Sequence, residues 1–408
     1  MVGFYKKTIK DVPVAGKTVL LRADYNVPLE EDGTIGDDFR IMSSIPTINY
    51  LLEQRCKIVI ISHLGRPKGK DTAYSLKAVA ERLEDYVKPE VVFVRDCIGD
   101  IAKMGVKKSP RGSIVLLENL RFHAEEESND MAFAEQVAKA SGASYFVQDG
   151  FGIVHRAHAS TDAITMCLPG VGGLLLEKEF VAISSVMKDP KHPLIAVLGG
   201  AKVADKIGII EKLEPIAEKI LIGGAMANTF LHARGVDVGT SKCETNQVDE
   251  VKQIYQIALK KVGKDAIDGF LQLPVDVAVA TSPDAKSPRK SVPIRQIPKD
   301  TMALDIGDET IERFVRDIEK AKTVIWNGTL GFAEHEKFAH GSARIALALA
   351  THPNVVSVIG GGDTADFVLN WDSKNGASFS HVSTGGGASL ELMSGKKLPG
   401  IESLLDAR

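Results

Sequence analysis

The sequence predicts an α/β fold: two doubly wound parallel-sheet (Rossmann-like) domains joined by a hinge helix. Three observations predict it. Short β-branched runs recur along the whole chain of 408 residues. Helical patterns lie between them, and alternation of strand and helix is the signature of helices covering both faces of a mainly parallel sheet. Finally, the strands are too numerous for one compact sheet, and a long helical segment flanked by glycine and proline breakers sits near the middle.

In chain order the runs are KTVLL (17–21), KIVIIS (57–62), SIVLLE (113–118), SYFVQ (144–148), LIAVLG (194–199), KILIG (219–223), TVIWN (323–327) and VVSVIG (355–360). Nearly continuous apolar runs suit strands buried on both faces. Between them, SLKAVAERLEDYV (75–87) and MAFAEQVAKA (131–140) read as helices. The second has Ser128, Asn129 and Asp130 as N-cap candidates and Gly142 as a C′ residue. LLLEKEFVAISSVMK (174–188) reads as the connecting helix, entered through PGVGG (169–173) and stopped by Asp189-Pro190 and His192-Pro193. The expected domains are therefore 1–172, the helix 173–188 and 189–391. TSPDAKSPRKSVP (281–293) reads as an exposed loop or hairpin.

Composition narrows the function. Hydrophobic residues make up 44% and charged residues 25%, ordinary values for a water-soluble globular chain. A formal charge of −3 argues against bulk nucleic-acid binding. Cys56, Cys97, Cys167 and Cys243 are scattered and form no C-x-x-C pair, which suits incidental thiols in a reducing compartment. The N-terminus has no apolar leader, and no apolar run approaches membrane-spanning length, so a cytoplasmic protein without membrane partners is expected.

Ligands of open α/β sheets bind beyond the carboxyl ends of the strands. In the first half those corners carry Asp24 and Asn26, then His63 and Arg66, then Arg121, then Asp149, His155 and Arg156, with Arg40 on the loop DDFRI. Arginines at successive strand ends imply an anionic ligand, because the guanidinium fork bonds phosphate or carboxylate oxygens in pairs. In the second half the corners are glycines: GGAK (199–202), GGA (223–225), NGTLG (327–331), GGGDT (360–364) and TGGG (384–387). Glycines let backbone N–H groups approach oxyanions, and helix N-termini add partial positive charge. Lys202 and Lys206, four residues apart at the start of a helix, can face one anion. Asp363, beside a helix start and followed by Thr364, is a candidate carboxylate for magnesium. An arginine-lined site and a glycine-lined site on two domains describe a hinge-bending phosphotransferase.

These motifs, in this order, resemble the phosphoglycerate kinase family. GKTVLLRADYNVPL, DDFRI, ISHLGRPKG, LLENLRFHAEE, HRAHAST, LGGAKVADK, IWNGTLG, GGGDTADF and STGGGASLELMSGKKLPG carry the resemblance over essentially the whole chain. It implies a reversible phosphoryl transfer between ATP and the carboxylate of 3-phosphoglycerate, giving ADP and 1,3-bisphosphoglycerate. By the resemblance, Asp24, Tyr25, Asn26, Arg40, His63, Leu64, Gly65, Arg66, Arg121 and Arg156 would hold the acid. Gly199, Gly200, Ala201, Lys202, Lys206, Gly223, Gly224, Gly307, Asn327, Glu334, Gly361, Gly362, Asp363 and Thr364 would hold the nucleotide, with Glu334 at the ribose. Mg²⁺ would sit at Asp363, and Arg40 and Lys202 would be the catalytic groups on the transferring phosphoryl. A monomer is implied, and the residues from about 392 to 408 would fold back onto the first domain. The chain departs from the family pattern at Thr329, where proline is usual, at Gly331-Phe332-Ala333-Glu334 in place of G-V-F-E, at Asp308, and at QDGFGIVHR.

Two other readings compete. A nicotinamide oxidoreductase would use GGGDTA (360–365), but no Asp or Glu occurs from Ser378 to Ser389 to bind a ribose, and Asp363 inside the turn would repel a pyrophosphate. A non-catalytic relative would not need Arg40, Lys202, Lys206 and Asp363 together. G-x-x-x-x-G-K-[ST], the Walker A pattern, is absent.

Overall fold

The eight apolar runs form strands whose ends fall within one residue of the expected bounds. The structure, a computed structural model, describes residues 2–284, 286 and 288–407. The chain divides into two units. The first comprises the residues up to Val181 together with those from Lys397 on; the second is Ala182–Lys396. The division falls inside the helix Leu174–Lys188.

In the first unit the strands are β1 (Thr18–Arg22), β2 (Lys57–Ile61), β3 (Val91–Val94), β4 (Ile114–Leu117), β5 (Tyr145–Gln148) and β6 (Gly170–Gly172). They form one parallel sheet in the order β3-β4-β2-β1-β5-β6. The order reverses direction around β1 and β2, so a crevice opens beyond their carboxyl ends. Val19, Leu21, Ile58, Ile60, Ile114 and Leu116 are buried on one core, against Ile41, Ile48 and Leu51 of the helix Phe39–Glu53. The helix Met131–Ser141 begins as the sequence indicates: the Asp130 side chain accepts from the Phe133 N–H at 2.7 Å, and Gly142 ends the helix at φ 57°.

Both ends of the chain close this unit. The Lys6 ammonium, 5% exposed, donates to Glu402 O (2.8 Å), Leu404 O (3.0 Å) and Asp406 Oδ1 (2.7 Å). Backbone bonds from Lys7 N to Leu405 O and from Leu405 N to Gly170 O stitch the last residues to the first and to β6. Leu398, Ile401 and Leu404 are buried there.

The second unit has β7 (Leu194–Leu198), β8 (Lys219–Ile222), β9 (Leu271–Gln272), β10 (Asp276–Ala280), β11 (Lys290–Pro293), β12 (Met302–Ile306), β13 (Thr323–Asn327), β14 (Val356–Gly360) and β15 (His381–Val382). Six of these form a parallel sheet in the order β15-β14-β13-β7-β8-β9. The other three form an antiparallel sheet, β11-β10-β12, that the sequence reading did not contain. The stretch read as a loop or hairpin is the β10–β11 connection plus β11 itself, with residues 285 and 287 outside the described residues. Asp276, the first residue of β10, anchors this sheet. Its carboxylate accepts from Glu309 N, Thr310 N and Thr310 Oγ1 at 2.6–3.0 Å and so caps the helix Asp308–Ile318.

Candidate functional site

In the first unit the polar residues after β1, β2 and β4 converge through buried groups that knit three loops together. Ser62 donates its hydroxyl to Ala23 O at 2.8 Å and accepts from the Tyr25 N–H at 2.9 Å. Asn119, fully buried, donates to Leu64 O (2.8 Å) and Tyr74 O (2.9 Å) and accepts from Arg121 N (3.0 Å). Asn26 accepts from Gly65 N at 2.8 Å. With the loops fixed, the ionic side chains have defined places. Asp24, 8% exposed, accepts from Arg40 Nη1 at 2.6 Å. Burial alone would raise its carboxyl, but the charges of Arg40 and Arg22 and the Asn26 N–H outweigh burial and hold it at about 2, so it is an anion throughout the physiological range. Arg121 donates to Gly65 O at 2.8 Å, and Glu127 lies 3.1 Å from its Nε. Arg66 and Arg156 are exposed, with Arg156 Nε donating to His155 Nε2 at 3.3 Å.

Arg22 ends β1 pointing inward and is fully buried. Its Nε donates to Ser160 Oγ at 2.7 Å, one Nη to Ala23 O, and the other lies 3.1 Å from His63 Nδ1. Glu126, also fully buried, balances it at 4.0 Å and accepts from the Ser160 hydroxyl at 2.6 Å. Because a guanidinium has only donors, His63 Nδ1 must accept, which leaves the imidazole proton on Nε2. Burial, joined by the charges of Arg22, Arg121 and Arg40, pushes His63 well below its ordinary value despite Asp24. With Nδ1 facing Arg22, His63 presents its Nε2–H as a donor.

The glycine corners of the second unit are packed directly on one another. A Cβ on Gly328 (φ +99°) would lie 2.2 Å from the backbone of Gly199, and one on Gly224 (φ +64°) 2.6 Å from Gly200 N. Glycine is thus required for the corners after β7, β8 and β13 to meet. Two cavities share this floor. One, of about 320 Å³, is lined by Gly200, Lys202, Lys206, Asn327, Gly361–Thr364 and Gly386–Gly387. The Lys206 ammonium donates to Asn327 Oδ1. Burial lowers its pKa to about 8, while Asp205 and Asp363 oppose that shift. Asn327 Nδ2 is buried without a partner. Asp363 is exposed in the first turn of the helix Gly362–Trp371, whose N–H groups open onto the cavity. The second cavity, about 470 Å³, is mainly apolar and is walled by Val277, Met302, Leu304, Leu330 and Phe332, with Glu334 and Asp363 at its edge.

Several sequence expectations need correction. Arg40 lies in the first turn of the helix Phe39–Glu53, not on a loop. The α-helix after β7 begins at Ile207, so Lys202 precedes it and Lys206 closes the 3₁₀ turn Ala204–Lys206, although both line one cavity. Tyr25 and Leu64 are core residues at 0% and 1% exposure, and the Tyr25 hydroxyl is spent on Ser44 Oγ at 2.9 Å, so neither side chain is open to a ligand. Thr364 lines the smaller cavity as expected, and its Oγ1 accepts from Gly328 N at 2.7 Å. Gly199, Gly223 and Gly307 stand behind the cavity lining: a Cβ on them would strike Thr329 O, Leu330 and the Asp276 carboxylate. Asp149 turns away from the β5 corner. Its Oδ1 accepts from Leu175 N (3.0 Å) and Leu176 N (3.3 Å), capping the helix Leu174–Lys188. Burial pushes its carboxyl up to about 7 against the Thr47, Leu176 and Leu175 donors. The sequence reading passed over Arg22, Asn119, Glu126 and Ser160. Arg22 alone left a signal, an arginine closing an apolar strand two residues before Asp24.

Residues 9–396 match the family described as phosphoglycerate kinase. Among curated proteins, the phosphoglycerate kinase of Pelotomaculum thermopropionicum is 46% identical over 404 residues, covering 98% of this chain and 99% of that one. The phosphoglycerate kinase of Chloroflexus aurantiacus is 45% identical over 408 residues, covering 98% and 99%. Among solved structures, the phosphoglycerate kinase of Pyrococcus horikoshii superposes with a TM-score of 0.84 at 33% identity, covering 98% of each chain.

Proposed function

The chain belongs to the phosphoglycerate kinase family, and from that premise we propose how its own residues divide the work of a glycolytic phosphotransferase. The first unit takes the acid, 3-phosphoglycerate in one direction and 1,3-bisphosphoglycerate in the other. Arg66, Arg121 and Arg156 meet the phosphate that does not react, and His63 Nε2–H and Asn26 bond the acid's oxygens. Arg40, aimed by Asp24, faces the carboxylate end. The second unit takes ATP or ADP. Its base enters the 470 Å³ cavity and its ribose meets Glu334, while its phosphates lie over Lys202, Lys206 and the start of the helix Gly362–Trp371.

The observation that carries this reading is the difference in chemistry at the strand ends. Buried partners fix donors at the ends of β1, β2 and β4. The ends of β7, β13 and β14 instead present bare backbone and two lysines. The acid's carboxylate is already ionised at neutral pH, so it attacks the γ-phosphorus without a general base. The bond to the bridging oxygen of ADP breaks and an acyl phosphate forms. That His63 is held as a donor agrees with a reaction needing no base. What remains is positioning and neutralising charge on the transferring phosphoryl, the part assigned to Arg40 and Lys202. An exposed carboxylate beside a phosphate-sized cavity fits Mg²⁺, which takes one or two carboxylates and completes its shell with phosphate oxygens and water. Asp363 would hold it, and the ion would neutralise charge between phosphate groups. The chain is further proposed to work as a cytoplasmic monomer without nucleic-acid partners. Among the described residues no helix is long and apolar enough to cross a membrane.

A coupled assay of ATP formation from 1,3-bisphosphoglycerate and ADP tests the reaction, and calorimetric titration tests the allotment. Arg121→Ala should weaken 3-phosphoglycerate binding and leave ADP binding as it was. Equal weakening of both would remove the assignment of one reactant to each unit.

A further inference from the structure

The apolar cavity of the second unit has one aromatic ring among its described lining residues, that of Phe332. Phe332 remains 37% exposed, so a ligand in the cavity can cover it. It is also held in place. The Phe332 N–H donates to Leu304 O of β12 at 2.7 Å, and His335 N–H returns to Phe332 O at 3.0 Å. The His335 imidazole stacks on the ring, centroids 4.9 Å apart and planes 29° from parallel. Ala333, the next residue, lines a different cavity of about 790 Å³. The chain therefore turns its aromatic side chain into the 470 Å³ cavity and its small one into the neighbouring one, with Glu334 and Asp363 on both.

The cavity has little with which to read the edge of a base. Three of its lining side chains are polar and buried, Asn228, Asp305 and Thr329, and bonds within the chain already use the first two in part or in full. Asn228 donates to Lys242 O at 3.2 Å, and the Asp305 carboxylate accepts from Gly341 N (2.8 Å) and Ile306 N (2.9 Å). With so few groups on the edge, a ring face adds discrimination, because the wider π-surface of a purine gains more from stacking.

We propose that Phe332, braced by His335, is the surface on which the nucleotide's base stacks, and that this ring sets a preference for purines over pyrimidines. The inference rests on the base occupying this cavity, as assigned above. Stacking of one base on one aromatic side chain is worth about fivefold to 150-fold in affinity.

The test compares ADP, CDP and ribose 5-diphosphate by calorimetric titration in the presence of Mg²⁺. The ratio of ADP to ribose 5-diphosphate affinity isolates the base from the phosphates. Phe332→Ala should lower that ratio by about fivefold to 150-fold, lower the CDP ratio less, and leave ribose 5-diphosphate itself unmoved. Phe332→Leu, which keeps apolar bulk but has no π-face, should lose most of the ratio, and Phe332→Tyr should keep it. The leucine variant decides the question if the alanine variant does not fold. An unchanged ADP ratio in the variants that lack a ring overturns the proposal. Ala225→Trp, which fills the same cavity from its other lining, separates the two failures. If Ala225→Trp lowers the ratio while Phe332→Leu does not, the base is in the cavity but does not stack on this ring. If neither lowers it, the base lies elsewhere and both readings fall.

Discussion

Gly173 shows how closely the start of the helix Leu174–Lys188 is fitted to Asp149, and its replacement by alanine can be worked through in numbers. A Cβ on Gly173 would lie 2.0 Å from Asp149 Oδ1, 2.5 Å from its Cγ and 2.9 Å from its Cβ. Reaching an ordinary contact of 3.4 Å requires the carboxylate oxygen to retreat by 3.4 − 2.0 = 1.4 Å. The bonds from Leu175 N and Leu176 N, now 3.0 and 3.3 Å, cannot survive that movement. Gly173→Ala should therefore lose the cap, about 0.5–2 kcal/mol, and add packing strain of about 1–3 kcal/mol. Asp149→Ala alone loses the cap and the Thr47 bond but adds no strain. In the double variant just the 2.9 Å contact with the residual Cβ remains, which a shift of 0.5 Å relieves. The two effects should thus be far from additive, with a coupling of at least about 1 kcal/mol. Urea unfolding followed by far-ultraviolet circular dichroism measures each variant. Trp326 and Trp371, the chain's two tryptophans, both belong to the second unit and give an internal reference. Additivity within about 0.5 kcal/mol would refute the argument, because it would mean that the glycine is not there to admit the carboxylate.

Other variants probe the proposed chemistry and the buried network behind it. Arg40→Ala and Lys202→Met should each lower kcat by roughly 10²–10³, the scale for losing one group that meets charge in the transition state; near-normal turnover in both would dismiss them as the catalytic pair. Arg22→Met should cost about 3–5 kcal/mol in a denaturant melt by leaving Glu126 buried without its cation, and Arg22→Met with Glu126→Gln should recover part of it. Burial and the charges of Arg121, Arg22, Arg156 and His155 push His158 down to about 4. Between pH 6.5 and 4 the unfolded chain then binds the extra proton, so stability rises with pH across that window, and His63 acts in the same sense. His158→Gln should flatten this dependence by up to about 1.4 kcal/mol per pH unit, and a slope unchanged by the variant would show that His158 titrates normally.

The inner strands of both parallel sheets were legible because burial on both faces writes itself as an unbroken apolar run, whereas the edge strands β3, β9 and β15 escaped the reading. β6 was not legible either: Pro169-Gly-Val-Gly-Gly reads as a breaker, and only pairing with Phe146–Gln148 makes Gly170–Gly172 a strand. The antiparallel sheet escaped for a related reason. DVAVA and MALDI are short, and their register depends on Asp276 reaching the helix Asp308–Ile318, a contact between residues distant in sequence. Within the sites, exposed cations and glycine corners were readable because solvent-facing chemistry follows strand ends. Arg22, Asn119 and Glu126 were not, since a buried polar residue is explained only by partners that folding supplies. Asp149 was misjudged on the same ground: a carboxylate at a corner faces either a ligand or a helix start, and the sequence does not say which.

The clasp between the chain's two ends gives the protein an order of assembly. The first unit needs Leu398, Ile401 and Leu404 in its core and Asp406 on Lys6, yet the whole of Ala182–Lys396 must be synthesised before those residues exist. At 5–20 residues per second that is a delay of roughly 10–40 s on the ribosome. Until then Leu398, Ile401 and Leu404 cannot cover the surface beside β6 that they bury in the folded unit. A circular permutant that places 397–407 ahead of residue 2 would abolish the wait, so its gain in refolding yield over the native order would measure what the clasp demands of the cell.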